Sequence, residues 1–425
     1  MSGSVSSQLG GFYKKSQEER LKTIAEQCGL SNEELALLKS LKPMDFKTAD
    51  IMIENVIGVF GMPLGIATHF RINDRDYLVP MAIEESSVVA AACKAAKIAR
   101  EAGGFKASAE EQIMIGQIQV MVKGKDKQED IIKKIKEHKK QLIEKANSCD
   151  KVLVSFGGGA RDIEIRRFKE FIVIHLLVDV RDAMGANTVN TMCEALAPEI
   201  EAICRCRTGL KIISNLALHR MVSAKATFKK ETLERESGKG VVDAIIDAWR
   251  FACEDQFRAT THNKGIMNGI AAVAIATGND FRAIEAGAHS YACFDGKYKP
   301  LTKYWKDDYG NLVGEIKLPM QAGIVGGATR VNPMAKLCLK ILGVKSAKEL
   351  AEVMAAVGLA QNFAAIYALA TKGIQYGHMK LHAKNIAVQA GARREEIERV
   401  AQQMIDAKSI NESTAREILA KLRGA

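Results

Sequence analysis

Apolar residues fall into two rhythms along this chain. Recurrence every three to four positions predicts helices, and alternation predicts strands. Residues 17–41 carry the helical spacing twice, the second helix opened by Ser31 with Glu33 and Glu34 in its first turn. Another helical stretch covers 47–57 and ends at Gly58. Ala67 to Pro80 alternates around Asn73-Asp74, which predicts a hairpin. A small-residue helix, Ser87 to Ala102, follows and stops at Gly103-Gly104.

The region 111–215 changes grammar. Ile113 to Val122 predicts a strand, Lys127 to Ala146 a basic amphipathic helix, and Val152 to Phe156 a second strand closed by Gly157-Gly158-Gly159. Phe171 to Val180 is a continuous apolar strand, Asn187 to Cys204 a helix, and Leu210 to Ser214 a last strand. The order β-α-β-β-α-β is the ferredoxin-like arrangement, here inserted into a larger helical unit. Helical spacing resumes from Val241 to Phe257 and runs on through Lys264. A short strand at 311–319, a Gly-rich loop at 322–328 and helices from Asn332 to about Lys372 complete that unit. A small helical unit begins at Tyr376. The expected fold class is therefore α+β. A large, mainly helical domain spans 1–110 and 216–375, the insertion 111–215, and a terminal helical piece 376–425.

Charge changes this picture little. The net charge of +11 invites a nucleic-acid reading, but much of the excess lies between Lys123 and Lys145, with nine lysines against five acids. Ile131, Ile132, Ile135, Leu142 and Ile143 recur there at helical spacing, so the lysines form a solvated face without interleaved aromatics. No nucleic-acid partner is expected. Nine cysteines lie scattered without CxxC spacing, which points to a reducing, cytoplasmic setting. The start, MSGSVSSQLGGFYKK, lacks the apolar core of a signal peptide, and no run reads as membrane-spanning, so no membrane is expected.

Four stretches carry groups capable of chemistry. Ala259 to Asp280 sets Lys264 between a polar TTHN entry and small apolar residues, with Asp280 in a Gly-Asn-Asp turn. Alone, Lys264 reads first as a solvated helix cap, the commoner place for a lysine, and second as a cation held by a carboxylate. Glu84-Glu85 stand between an apolar strand end and a helix beginning near Ser87, where one acid suits the helix N-terminus and two are more than it needs. His378 and His382 share a helix face, yet nothing supplies a third ligand, so a proton donor is the better functional reading and no metal is expected. Asp179 to Asn187 places Gly185 where a strand hands over to a helix, a natural anion site. No G-x-G-x-x-G occurs, so a dinucleotide would bind at this turn and at Gly157-Gly158-Gly159.

Together these stretches resemble the hydroxymethylglutaryl-coenzyme A (HMG-CoA) reductase family in its bacterial-type (class II) form, over nearly the whole length. The motifs are Glu54-Asn55-Val56-Ile57-Gly58, Pro80 to Ser87, Asp182-Ala183-Met184-Gly185-Ala186-Asn187, Thr261-His262-Asn263-Lys264-Gly265, Thr277-Gly278-Asn279-Asp280 and Gly377-His378-Met379. The resemblance implies four-electron reduction of HMG-CoA to mevalonate and coenzyme A by two nicotinamide cofactors, or the reverse. The alternative is an oxidoreductase of another CoA thioester.

It assigns Lys264 to the developing alkoxide in a water-poor site, with Asp280 holding Lys264. Glu85 passes a proton, and His378, on a C-terminal flap, protonates the leaving thiolate. Ser87, Asn215, Arg258, Asn268 and His382 match substrate-contacting positions. Asp150, Gly157, Gly158, Asp182, Met184, Gly185 and Asn187 fall to the cofactor. Asp150 matches the position facing the adenosine ribose, so NADH is expected over NADPH, which Lys151 could still admit. Tyr13 and Lys14 occupy a stretch where family members often carry a coenzyme A-binding arginine. Glu54 to Gly58 resembles the dimer motif, implying a homodimer with shared active sites and room for a larger assembly.

Overall fold

The computed structural model describes residues 5–40, 44–371, 374–393 and 395–424, and of residues 374–381 the backbone path alone. Among the described residues, ten strands form two sheets. They are β1 (Leu64–Ile72), β2 (Arg75–Ala82), β3 (Phe105–Ala109), β4 (Ile113–Met121), β5 (Gly159–Arg167), β6 (Phe171–Asp179), β7 (Arg207–Ser214), β8 (Met221–Phe228), β9 (Thr302–Lys306) and β10 (Leu312–Pro319). The larger sheet runs β2-β1-β3-β8-β10-β9, and the smaller β5-β6-β4-β7. Every neighbouring pair is antiparallel except β1 and β3, which meet in parallel at Ile72 and Phe105. The chain crosses from one sheet to the other twice, between β3 and β4 and between β7 and β8.

The smaller sheet keeps the order β-α-β-β-α-β, but its second strand is displaced. Val152 to Phe156 is not a strand. Lys151–Ser155 is a short helix, with Asp150 capping it by accepting from the Leu153 N–H at 2.9 Å. The strand begins only at Gly159, after the glycines rather than before them. Its alternation is blurred by charged residues and a bulge between Ala160 and Asp162, while Val152 and Phe156 form an apolar run that stays exposed. The basic helix also divides at His138, into Lys125–Glu137 and Lys139–Ser148.

The larger unit contains more sheet than its helical spacing predicts. β3, β8 and β9 are short or rich in Ala, Ser, Thr and Lys, so their alternation is weak in sequence. The predicted helix at 47–57 shortens to Phe46–Met52. Helix Ala347–Ala370 is long and apolar enough to cross a membrane by composition, contrary to the sequence reading, but most of it is buried in the core. The core of this unit joins that helix, Val88–Arg100 and Gln256–Ala276 to β1, β2, β3, β8 and β10. A separate cluster, including Ala383, Val400, Met404 and Leu419, holds the C-terminal helices together.

Helix Gln256–Ala276 lies directly on Ala347–Ala370 through reciprocal glycines. A Cβ on Gly269 would stand 3.0 Å from Gln361 Cβ and 3.0 Å from Val357 Cγ1. One on Gly358 would stand 2.8 Å from Ile270 Cδ1. Beside this crossing, His262 Nε2 lies 2.6 Å from Thr302 Oγ1, and Asn362 Oδ1 accepts from Thr302 Oγ1 at 3.1 Å and Tyr304 OH at 2.9 Å. With its proton committed to Asn362, the Thr302 hydroxyl accepts, so His262 is the Nε2–H tautomer. Burial, helped by the nearby Arg258 charge, pushes the His262 imidazole down to about 3.

Two outcomes are expected. Gly269→Val should overpack the crossing and lower unfolding stability by about 1–3 kcal/mol, read from the urea midpoint. The neutral His262 ring contributes stability that is whole above its ordinary value of 6.5 and is lost as pH falls from there through about 3. The urea midpoint should therefore decline over that window, and decline less in His262→Gln. A wild-type midpoint flat across it would contradict the assignment.

Candidate active site

The crossing presents one face of helix Gln256–Ala276 to a cavity of about 620 Å³. Arg258, Thr261, His262, Gly265 and Asn268 recur three and four residues apart on that face, and Lys264 borders it. Opposite stands the segment between β2 and helix Val88–Arg100, carrying Glu85 and Ser87. Ser87 begins that helix at φ 86°, a left-handed conformation a serine adopts only under constraint. Glu85 Oε2 accepts from Lys264 Nζ at 3.4 Å and from Asn268 Nδ2 at 3.4 Å. A carboxylate, an ammonium and a carboxamide thus converge on one wall, with the half-buried Arg258 guanidinium along it.

The Lys264 side chain is 63% exposed, not enclosed in a water-poor site as the sequence reading expects. The mouth of the site lies at the surface of the single chain. At the other end of the cavity, Lys94 pairs with Glu236 at 3.2 Å and sits over the Tyr367 ring, whose hydroxyl lies 2.7 Å from Ser237 Oγ. Sequence reasoning misses these four residues. Tyr367 comes from the core helix, and Lys94, Glu236 and Ser237 lie in segments without a recognisable motif.

Asp280 does not hold Lys264. It caps helix Phe281–Ala292, accepting from the Arg282 and Ala283 N–H groups at 3.1 and 3.2 Å, and pairs with the Arg282 guanidinium at 3.0 Å. Twelve positions of helix separate Lys264, near the middle, from Ala276 at the C-terminus, a rise of about 18 Å, and Asp280 lies beyond that end of the rod. Asp280 belongs to a second neighbourhood. Asn279 Oδ1 accepts from Gly323 N at 2.7 Å, and Gly323 lies so close to the Asp182–Asn187 turn that a Cβ there would stand 2.6 Å from Met184 N. Asn215 joins this neighbourhood, its carbonyl accepting from Gln321 Nε2 at 2.9 Å, rather than the cavity wall.

The dinucleotide candidates surround one helix start. Gly185 caps helix Ala186–Cys204 at φ 98° and, among the described residues, no side chain caps its N–H groups, so they are available to an anion. Asp150 Oδ2 accepts from Thr188 Oγ1, in the first turn, at 3.0 Å. Asp150 is therefore a helix cap and a tie to this helix, not the lead-in to a strand. The Gly157 carbonyl accepts from both Arg161 and Arg181. Glycine backbone, an open helix N-terminus, two guanidinium groups and a carboxylate beside them fit a pyrophosphate and a ribose. Asn187 is exposed at the same turn. His378 and His382 both lie on helix Ile374–Gln389. His382 is exposed, and the His378 side chain lies outside the described residues.

The family model described as hydroxymethylglutaryl-coenzyme A reductase matches residues 16–383. The chain is 55% identical over 426 aligned residues to the 3-hydroxy-3-methylglutaryl-coenzyme A reductase of Archaeoglobus fulgidus, covering 99% of this chain and 95% of that one. Its structure resembles that of the Streptococcus pneumoniae enzyme with a TM-score of 0.83 at 42% identity, over 97% of this chain and 99% of the other. A second structure from that organism, a class II enzyme bound to NADPH in open conformations, gives 0.82 at 42% identity over 85% of this chain and 99% of the other. On the extent of these matches, and on a cavity that brings the Glu85, Lys264 and Asn268 side chains together, the chain belongs to the hydroxymethylglutaryl-coenzyme A reductase family, whose members are oxidoreductases.

Proposed function

We propose that the chain reduces HMG-CoA by four electrons to mevalonate and coenzyme A, or runs the reverse oxidation, at a site completed by two copies of itself. The observation that carries this reading is the Glu85–Lys264–Asn268 cluster on the cavity wall. Lys264, borrowing no proton from elsewhere, stabilises the oxyanion that develops on the thioester carbon. Glu85, within reach of the Lys264 ammonium, passes protons as the hemithioacetal forms and collapses. Arg258 pairs with the free carboxylate of the acyl group, and Ser87, Asn268 and His382 orient the rest. His378, on the C-terminal unit from residue 376, protonates the departing thiolate when that unit closes as a flap. A bound nicotinamide dinucleotide would supply one hydride in each of the two reduction steps, exchanging for a second reduced cofactor between them. Gly157, Gly158, Asp182, Met184, Gly185 and Asn187 hold it.

Asp280 and Asn215 enter this site from the partner. They share one neighbourhood with the Asp182–Asn187 turn, away from Lys264, so one chain presents the acyl half at one place and the nucleotide half at another. The face able to join two such chains is visible. Ile57 is wholly exposed and Phe60 is 93% exposed, and Phe46, Ile51, Ile53 and Val59 are exposed beside them. An apolar strip this continuous, containing the Glu54–Gly58 motif, suits burial against a second copy. Such a dimer would also cover Lys264. It supplies the dry surroundings in which the ammonium acts most strongly.

For the cofactor, we favour NADH. Asp150 is fixed by Leu153 and Thr188, and its remaining lone pairs face the helix start, where they accept from a ribose 2′-hydroxyl and repel a 2′-phosphate.

Oxidation of NADH and of NADPH with HMG-CoA tests the activity directly, and no turnover with either would refute it. Lys264→Ala should lower kcat by about 10²–10³-fold or more with the melting temperature retained. Lys264→Ala and Asp280→Ala should each be inactive alone. Mixed in equal amounts and allowed to exchange subunits, they should recover about a quarter of the wild-type sites, because one site in each mixed dimer is intact. No recovery despite exchange would place both groups in one subunit's site. The ratio of kcat/KM for NADH over NADPH should exceed one and fall in Asp150→Ala.

A further inference from the structure

Arg220 takes no part in the chemistry above, yet it heads the fully buried side chains by volume, at 1% exposure. It stands where the chain crosses from β7 to β8. Its Nε donates to Gln112 Oε1 at 2.9 Å, and Gln112 occupies the other crossing, from β3 to β4. Nη1 donates to the Met184 carbonyl at 3.1 Å. Nη2 donates to the Ala183 carbonyl at 3.1 Å and also to the Ala322 carbonyl. One planar cation therefore ties both inter-sheet crossings, the Asp182–Asn187 turn and the loop after β10.

A buried guanidinium is costly, and a fold needing only volume at this point would be served by an apolar side chain. What the guanidinium adds is direction, because its donors leave a rigid plane at fixed angles. Burial lowers the Arg220 pKa to about 9 against the raising influence of Asp179 and Asp182, so the fork stays charged at neutral pH. The clasped turn is held from other sides too. Ile324 N donates to the Asp182 carbonyl at 2.8 Å, Ala347 N donates to Asp182 Oδ1 at 2.7 Å, and Ala183 bridges to Val325. Through Gly323 N and Asn279 Oδ1 the same loop reaches the residue beside Asp280.

We infer that Arg220 is a positioning residue for the dinucleotide: its fork sets the Asp182–Met184 turn against the large sheet and against the Asn279-Asp280 loop. The nucleotide half of the site is thereby held in one geometry. This rests on the reading of that turn as a dinucleotide site. Arg220 touches neither the acyl cavity of its own chain nor Asn215 or Asp280 directly, so its effect should fall on cofactor affinity, and on turnover through the Asp280 loop, far more than on affinity for the acyl substrate.

The test uses the full-length protein and two variants, Arg220→Lys, which keeps the charge and loses the fork, and Gln112→Met, which removes the acceptor that orients Nε along with the local Gln112 Nε2 bond to the Glu110 carbonyl. NADH binding is read by its own fluorescence without acyl substrate, alongside KM values and the melting temperature. Arg220→Lys should raise the Kd for NADH by about 10- to 100-fold, the scale of losing hydrogen bonds from a charged donor. Gln112→Met should raise it several-fold, and KM for HMG-CoA should stay within about twofold in both. A lowered melting temperature with unchanged NADH affinity overturns the inference, as does equal weakening of both ligands. If Arg220→Lys does not fold, Gln112→Met decides by the same criteria. Wild-type protein that binds neither NADH nor NADPH would remove the dinucleotide reading itself, whereas wild-type binding matched by both variants removes only the role of Arg220.

Discussion

The site depends on how closely helix Gln256–Ala276 approaches helix Ala347–Ala370. Gly269 and Gly358 remove the side chains that would hold the two apart. The approach seats His262 within reach of Thr302 and lines up Arg258, Lys264 and Asn268 facing Glu85. A helix standing even one methyl group further out would carry these side chains with it, and interiors packed this densely transmit such shifts rather than absorb them. A single steric constraint, made by residues with no chemistry of their own, thus determines where the ammonium meets the carboxylate.

The geometry also divides the labour of the chain. The Glu85–Lys264–Asn268 face lies on helices over the large sheet, while the Asp182–Asn187 turn, Asn215 and Asp280 lie together where the two sheets join. The rigid rod that separates Lys264 from Asp280 explains why no local flexing of one chain unites them. Under the proposed reading, closure by a second copy would use the exposed apolar strip from Phe46 to Phe60 and would exclude water from the ammonium. On this view assembly and catalysis share one interface. The buried Arg220 fork ties the Asp182–Asn187 turn to the loop that reaches Asn279, beside Asp280.

Much of the fold was legible in the sequence. The hairpin about Asn73-Asp74, the helix from Ser87, and the long apolar strand at Phe171 all carry strong local periodicity, and they form as that periodicity requires. Val152 to Phe156 did not, because a five-residue apolar run has no period of its own and the Asp150 cap tips it into a helix. β3, β8 and β9 escaped notice because small or polar residues in a sheet draw their stability from neighbours across the ladder rather than from their own pattern. Tyr367, Lys94, Glu236 and Arg220 escaped for a related reason, since each gains its role from residues more than a hundred positions away or from a junction between sheets.

What the sequence by itself determined is the chemical inventory: a lysine in a THNK segment, paired acids before a helix, a glycine turn at a helix start, and the family these motifs mark. These are local signals, written in spacing and residue type. Only the tertiary structure decided which members of the inventory meet. It joined Lys264 to Glu85 and Asn268, sent Asp280 to the Asp182–Asn187 turn, and left Lys264 open at the surface. Side-chain convergence depends on the rigid separations that helices impose and on the close approach that two glycines permit, and neither is encoded at the positions of the reacting groups themselves.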